Sequence, residues 1–169
     1  VISIRPAAPD DSDAIQRVLL AAFPTPQEAK LVARLCDHDH DELSLVAEID
    51  GNVVGHILFS PVTVEREGRV IAGGLGLAPI AVDPAHQRRG IGSELIRAGL
   101  SALQAFACPF VVVLGEPAYY QRFGFAAASR FGLNNEYNVD DPFMALELTP
   151  GGLPAAGLVQ YGPEFAELA

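Results

Sequence analysis

Pro79-Ile80-Ala81-Val82-Asp83-Pro84-Ala85-His86-Gln87-Arg88-Arg89-Gly90-Ile91-Gly92-Ser93 decides the reading of this chain. It runs from an apolar strand through a polar turn with two arginines into a glycine-bearing helix start. That layout binds phosphate. The first N–H groups of a helix have no intrahelical acceptor. The helix dipole adds partial positive charge at the same end. Gly90 and Gly92 have no Cβ, so a diphosphate can come close to the main chain. Arg88 and Arg89 supply full charges. Two familiar phosphate loops are excluded. A P-loop requires a Lys after its last glycine, and none follows Gly92. A Gly-x-Gly-x-x-Gly fingerprint fails at Gly90-Ile91-Gly92-Ser93-Glu94-Leu95, and again at Gly74-Leu75-Gly76, where Pro79 takes the third place. Gln87 to Gly92 does fit Gln/Arg-x-x-Gly-x-Gly/Ala.

A second element lies downstream, Val113-Leu114-Gly115-Glu116-Pro117-Ala118-Tyr119-Tyr120-Gln121-Arg122-Phe123-Gly124-Phe125. Together with the loop it resembles the GNAT superfamily of N-acetyltransferases. The first motif is similar to that family's acetyl-CoA pyrophosphate loop. The second is similar to its Tyr-x-x-x-Gly-Phe element. The later Pro142-Phe143-Met144-Ala145-Leu146-Glu147-Leu148 also resembles one bacterial branch. The likeness runs from about Ile2 to Phe165, with its specific motifs between Leu77 and Phe125.

The resemblance implies an α/β fold with a mixed, mostly antiparallel sheet and helices on both faces, in one domain over residues 1–169. It implies acetyl transfer from acetyl-CoA to a primary amine by direct attack in a ternary complex. Main-chain groups of Ile80, Ala81 and Val82 would hold the pantetheine arm. Gln87, Arg88, Arg89, Gly90, Ile91, Gly92 and Ser93 would hold the pyrophosphate. Tyr120, four residues before Gly124, matches the tyrosine that protonates the departing thiolate. The chemistry needs such a donor, and a phenol with pKa near ~10 is protonated at neutral pH. The alternative for Tyr120 is a packed helical aromatic. Tyr119, one residue off, should face another way.

The general base is less defined. Many family members place a carboxylate on the strand before the loop, but Val70 to Val82 contains no Asp, Glu or His. Glu116 is one candidate and is equally placed to cap the short helix after it. A water chain is another. The missing carboxylate leaves a second reading open, a non-catalytic acyl-CoA sensor or interaction module on the same fold.

Composition narrows the class. The chain has 169 residues, half of them apolar, enough for a real core. Net charge is −10, from 11 basic and 21 acidic residues. That argues against nucleic acid, whose affinity rests on basic groups, and gives at most a weak bias toward a cationic acceptor. No apolar run is long enough to span a bilayer. The first twenty residues, with Arg5, Asp10, Asp11 and Asp13, do not read as a signal peptide. Two cysteines, Cys36 and Cys108, make no disulfide framework and read as buried small hydrophobes. A cytoplasmic monomer or homodimer without metal is the expectation. His38 and His40 among Asp37, Asp39 and Asp41 read as a solvated loop rather than a metal site. His86 reads as a turn residue within reach of phosphate, and His56 as a half-buried, hydrogen-bonded strand residue.

Periodicity supplies the elements. Val1 to Arg5 is a strand. Asp10 is an expected N-cap, and Ile15, Val18, Leu19, Ala22 and Phe23 form one helix face. Thr25-Pro26-Gln27-Glu28 reads as a capping box before a helix buried through Leu31, Val32 and Leu35. Asp50-Gly51 marks a hairpin between strands Leu43 to Ile49 and Val53 to Val64. Pro79, within the strand Val70 to Val82, implies a bulge, an edge or a lost ladder bond. Ile91 to Ala107 is a helix with Ile91, Leu95, Leu103 and Phe106 inward. Phe110 to Leu114 is a strand buried on both faces. Phe125 to Ala128 and Met144 to Leu148 are late strands, Leu158 to Tyr161 a last edge strand, and Asn134 to Asp141 a loop near the acceptor.

Overall fold

The computed structural model describes residues 1–137 and 142–168. In chain order the strands are β1 (Ser3–Pro6), β2 (Leu43–Ile49), β3 (Asn52–Arg66), β4 (Arg69–Val82), β5 (Phe110–Leu114), β6 (Ala126–Ala127), β7 (Leu133–Asn135), β8 (Phe143–Glu147) and β9 (Gly157–Tyr161). The helices are α1 (Ser12–Ala22), α2 (Gln27–Asp37), α3 (Ile91–Ala105) and α4 (Pro117–Tyr120). β4 with β5 and β7 with β9 are parallel, whereas β1 with β2, β2 with β3, β3 with β9, β5 with β8 and β6 with β8 are antiparallel, so the sheet is mixed and mostly antiparallel.

The chain divides into two compact units. One holds Val1–Phe59, Ala78–Ser101 and Leu168; the other holds Ser60–Leu77 and Ala102–Glu167.

In the first unit β1 pairs with β2, and β2 with the start of β3, where the register shifts between Ala47 and Glu48. The hairpin turn has φ of 51° at Asp50 and 80° at Gly51. Both values are positive, as a tight two-residue turn requires. Successive β3 residues serve opposite faces. A Cβ on Gly55 would lie 3.1 Å from Leu95 and 3.2 Å from Ile91 of α3. His56, the next residue, lines a cavity with Ile15 of α1 and Val32 of α2. Helices therefore cover both faces. Glycine is required where α3 crosses Phe59, since a Cβ on Gly99 would fall 2.6 Å from that ring. Leu31, Val32 and Leu35 are buried as α2's spacing implies. Gln16 Nε2 donates to the Ala29 carbonyl at 2.9 Å and ties α1 to α2.

In the second unit β4 and β5 run parallel from Leu75↔Val111 to Leu77↔Val113. β5 then pairs with β8, and β8 with β6. Phe110 to Val113 are buried on both faces, while Leu114 emerges. A Cβ on Gly74 would meet the Phe110 ring at 2.6 Å, which accounts for that glycine.

Several expectations change. Asp10 is not the N-cap; Asp11 occupies that position of α1, and its carboxylate binds the Ala8 N–H and Arg5 instead. The capping box is not made: α2 begins at Gln27, and Glu28 Oε1 is buried without a partner. Phe106 is 78% exposed. The helix ends at Ala105, and Ala107 turns with φ of 58°, so the spacing from Leu103 no longer holds a face. Cys36 is exposed and Cys108 half-buried, not core. His56 is wholly buried, not half-buried. β9 is no edge, because it pairs with β3 and with β7. Asn134 and Asn135 belong to β7; Asn138 to Asp141 of the expected acceptor loop lie outside the described residues.

Candidate active site

The candidate phosphate loop belongs to the first unit. β4 ends at Val82, with Ala81 buried and Ile80 and Val82 half-buried. Asp83 N–H bonds the Val54 carbonyl at 2.8 Å and anchors the strand's exit. The Asp83 carboxylate accepts the Ala85 N–H at 2.9 Å, closing a 3-10 turn over Pro84–His86. Gln87 Nε2 donates to the Val82 carbonyl at 3.0 Å and braces the turn from its far side. His86 is half-buried, and its Nδ1 has no partner.

The chain then takes positive φ twice, 65° at Arg88 and 81° at Gly90. Alternation of this kind turns successive N–H groups to one side, the geometry of an anion nest. Arg88 is not a glycine, so its left-handed backbone costs about 1–2 kcal/mol. A Cβ on Gly90 would meet nothing within 4 Å, so the space beside that main chain is open. The first intrahelical bond of α3 runs from Glu94 N–H to the Gly90 carbonyl at 3.0 Å. Gln87, Arg88, Arg89 and Gly90 are exposed, Gly92 half-buried, and Ile91 and Ser93 buried. The two arginines and the start of α3 thus flank the turn.

The Tyr120 region belongs to the second unit. Glu116 occupies the N-cap position of α4, and its carbonyl accepts the N–H groups of Tyr119 and Tyr120. Its carboxylate makes no capping bond and is exposed, so the expected side-chain cap is not formed. Tyr120 is buried, packed edge-on against Phe125 with ring centroids 5.7 Å apart. Gly115 lies against its ring, and a Cβ there would collide with it. Gly124, with φ of 97°, turns the chain back so that Phe125 can reach Tyr120. Tyr119 is half-buried and edge-on to Tyr120 at 5.1 Å, with the Arg122 guanidinium 5.2 Å above it. The two tyrosines do face differently.

Burial pushes the Tyr120 phenol up to about 12, with a smaller push from Tyr119. It stays protonated throughout the neutral range. β4 presents no Asp, Glu or His between Val70 and Val82. No base is evident on that strand.

The model of the acetyltransferase (GNAT) family matches residues 12–125. The chain belongs to that family. The N-acetyltransferase YhbS of Escherichia coli strain K12 is 36% identical over 165 residues, covering 96% of this chain and 97% of its own. The crystal structure of Escherichia coli YhbS in complex with CoA superposes with a TM-score of 0.89, over 97% of this chain and 91% of that one. A GNAT family acetyltransferase from Brucella melitensis in complex with acetyl-CoA is also 36% identical, with a TM-score of 0.81 and 98% of each chain covered. The fold is therefore the GNAT fold, and the chain is an acyltransferase of that family.

Sequence reasoning singled out the loop and Tyr120 as candidates but did not single out Asp83. An Asp directly before Pro84 at a strand's end is the available signal, since Asp caps its own following turn. It also missed the cavity lined by His56, which no local motif announces.

Proposed function

We propose that this GNAT family member transfers the acetyl group of acetyl-CoA directly to a primary amine, with residues 1–169 acting as one catalytic domain. Main-chain groups of Ile80, Ala81 and Val82 hold the pantetheine arm. Gln87, Arg88, Arg89, Gly90, Ile91, Gly92 and Ser93 hold the pyrophosphate. The amine nitrogen attacks the thioester carbonyl carbon and forms a tetrahedral intermediate. Collapse breaks the C–S bond, and the Tyr120 phenol gives its proton to the departing sulfur. Solvent reprotonates the phenolate. The proton lost by the amine leaves through a water chain or through Glu116, whose carboxylate has no capping role. Much of the rate comes from holding two reactants together.

The observation that carries this reading is the loop, with positive φ at Arg88 and Gly90 and open space beside Gly90. The CoA and acetyl-CoA complexes of the two similar proteins support the ligand. The buried, protonated phenol supports the role of Tyr120. A second reading, an acyl-CoA sensor, draws on one observation, the lack of an acidic or histidine side chain from Val70 to Val82. An amine panel separates the two. The enzyme releases CoA together with an equal amount of N-acetylated amine. A sensor gains thermal stability from acetyl-CoA, by mass action, and releases no CoA with any amine.

A further inference from the structure

The first unit contains a cavity of about 470 Å³ that the proposed reaction does not use. It lies under α1 and α2, and none of the residues from Ile80 to Ser93 lines it. Its size falls within the range of small-molecule sites, roughly 300–1,000 Å³. Ile15, Val32, Ala7 and Ala8 give it an apolar wall. Cys36, Asp37 and Asp41 line it as well. Both carboxylates act on the Cys36 thiol, which partial burial and then the negative charge of Asp41 and Asp37 raise to about 11. The thiol is therefore a neutral neighbour, and the two acids concentrate negative charge at one place. No Lys or Arg is among the residues that line it.

The sheet supplies a second, independent observation. His56 lines the cavity and is wholly buried. Its Nε2 and the Ser44 Oγ share a hydrogen bond of 2.8 Å. Its Nδ1 is buried and has no partner. Burial lowers the imidazole to about 4, so it adds no positive charge at neutral pH. A buried polar atom without a partner is costly, and such atoms point to a bound water or ligand group.

We infer that this cavity binds a small alkylammonium ion, with its charge at Asp37 and Asp41 and its hydrocarbon chain along Ile15 and Val32. Apolar side chains and two carboxylates in one lining select that class. An anion meets two carboxylates, and a neutral alcohol forgoes the charge. The site is independent of the acetyl-transfer reading, because its binding is measured without acetyl-CoA.

The probe is n-hexylammonium chloride, titrated against the full chain at pH 7 while the methyl resonances of Ile15 and Val32 and the ring resonances of His56 are followed. Saturable shifts at all three residues are expected. Hexanoate at the same concentrations should move none of them. Asp41→Asn should weaken hexylammonium about tenfold, the effect of losing one charge-assisted hydrogen bond. Ala33→Leu narrows the cavity without altering charge and should weaken binding at least as much, which keeps the test valid if Asp41→Asn fails to fold. Absence of saturable shifts, equal response to hexanoate, or undiminished binding in the folded variants would each overturn the inference. Activity takes no part in this test, so an inactive protein that binds hexylammonium sinks the proposed function and leaves this site standing.

Discussion

The loop from Gln87 to Ser93 and the wall around Tyr120 differ in what they use. The loop is largely exposed and in the proposed reaction binds through main-chain N–H groups, with φ of 65° at Arg88 and 81° at Gly90. The wall is buried and in the proposed reaction acts through one side chain, whose phenol is pushed up to about 12. Binding a diphosphate needs backbone geometry, which glycine spacing records directly. Protonating a thiolate needs a donor that burial keeps protonated, and that depends on packing from residues distant in sequence. The difference teaches that the two regions should fail differently: the loop by losing affinity, the wall by losing rate.

The largest expected effect is on the wall. Tyr120→Phe keeps the ring and removes the proton donor, so turnover should fall by about 10²–10⁴-fold when chemistry limits the rate. Stopped-flow or quenched turnover with a productive amine checks this. Stability should change by no more than about 1 kcal/mol.

Burial also sets the proton at His56, in the opposite direction. Its folded value is about 4 against an ordinary 6.5. As pH falls, the unfolded chain takes this proton first. The contribution to stability is therefore complete above about 6.5 and is lost as pH falls to about 4, with a total on the order of 3 kcal/mol. Urea unfolding at a series of pH values should show that slope, and His56→Gln should flatten it. An unchanged slope in the variant would separate burial from titration at this site.

The third effect tests the packing of the wall. Gly115→Ala places a methyl group against the Tyr120 ring and should destabilise the protein by about 1–3 kcal/mol, read from denaturant midpoints. The fourth returns to the loop. Gly90→Ala fills the open space beside the main chain and adds strain of about 1–2 kcal/mol at positive φ. Acetyl-CoA affinity should fall about tenfold by calorimetry, as one charge-assisted contact is lost. The smallest effect is Tyr119→Phe, which should stay within about threefold of wild-type turnover, since this half-buried ring makes no proposed contact with the reacting atoms.

Legibility in the sequence follows the same division. The loop was legible because glycines and arginines at fixed spacing state a main-chain requirement. The Asp50-Gly51 hairpin was legible for the same reason, and both residues do take positive φ. The role proposed for Tyr120 comes from family likeness alone; its burial depends on Phe125 and on the bare face of Gly115. Phe106 was misplaced because periodicity does not record where a helix stops. Glu116 reads as a cap by position, yet the cap is its carbonyl and not its carboxylate. His56 shows the other limit: one residue away, Gly55 faces α3, and nothing local says that the opposite face holds a cavity.

The comparison rests most directly on one paired measurement. Gly90→Ala and Tyr120→Phe are taken side by side in single turnover, at saturating acetyl-CoA with a productive amine, and acetyl-CoA affinity is measured on the same samples. The account predicts that saturation restores Gly90→Ala to near the wild-type rate, while Tyr120→Phe binds acetyl-CoA normally and remains slow. Wild-type single-turnover rates in Tyr120→Phe would contradict it and remove this tyrosine from the chemistry.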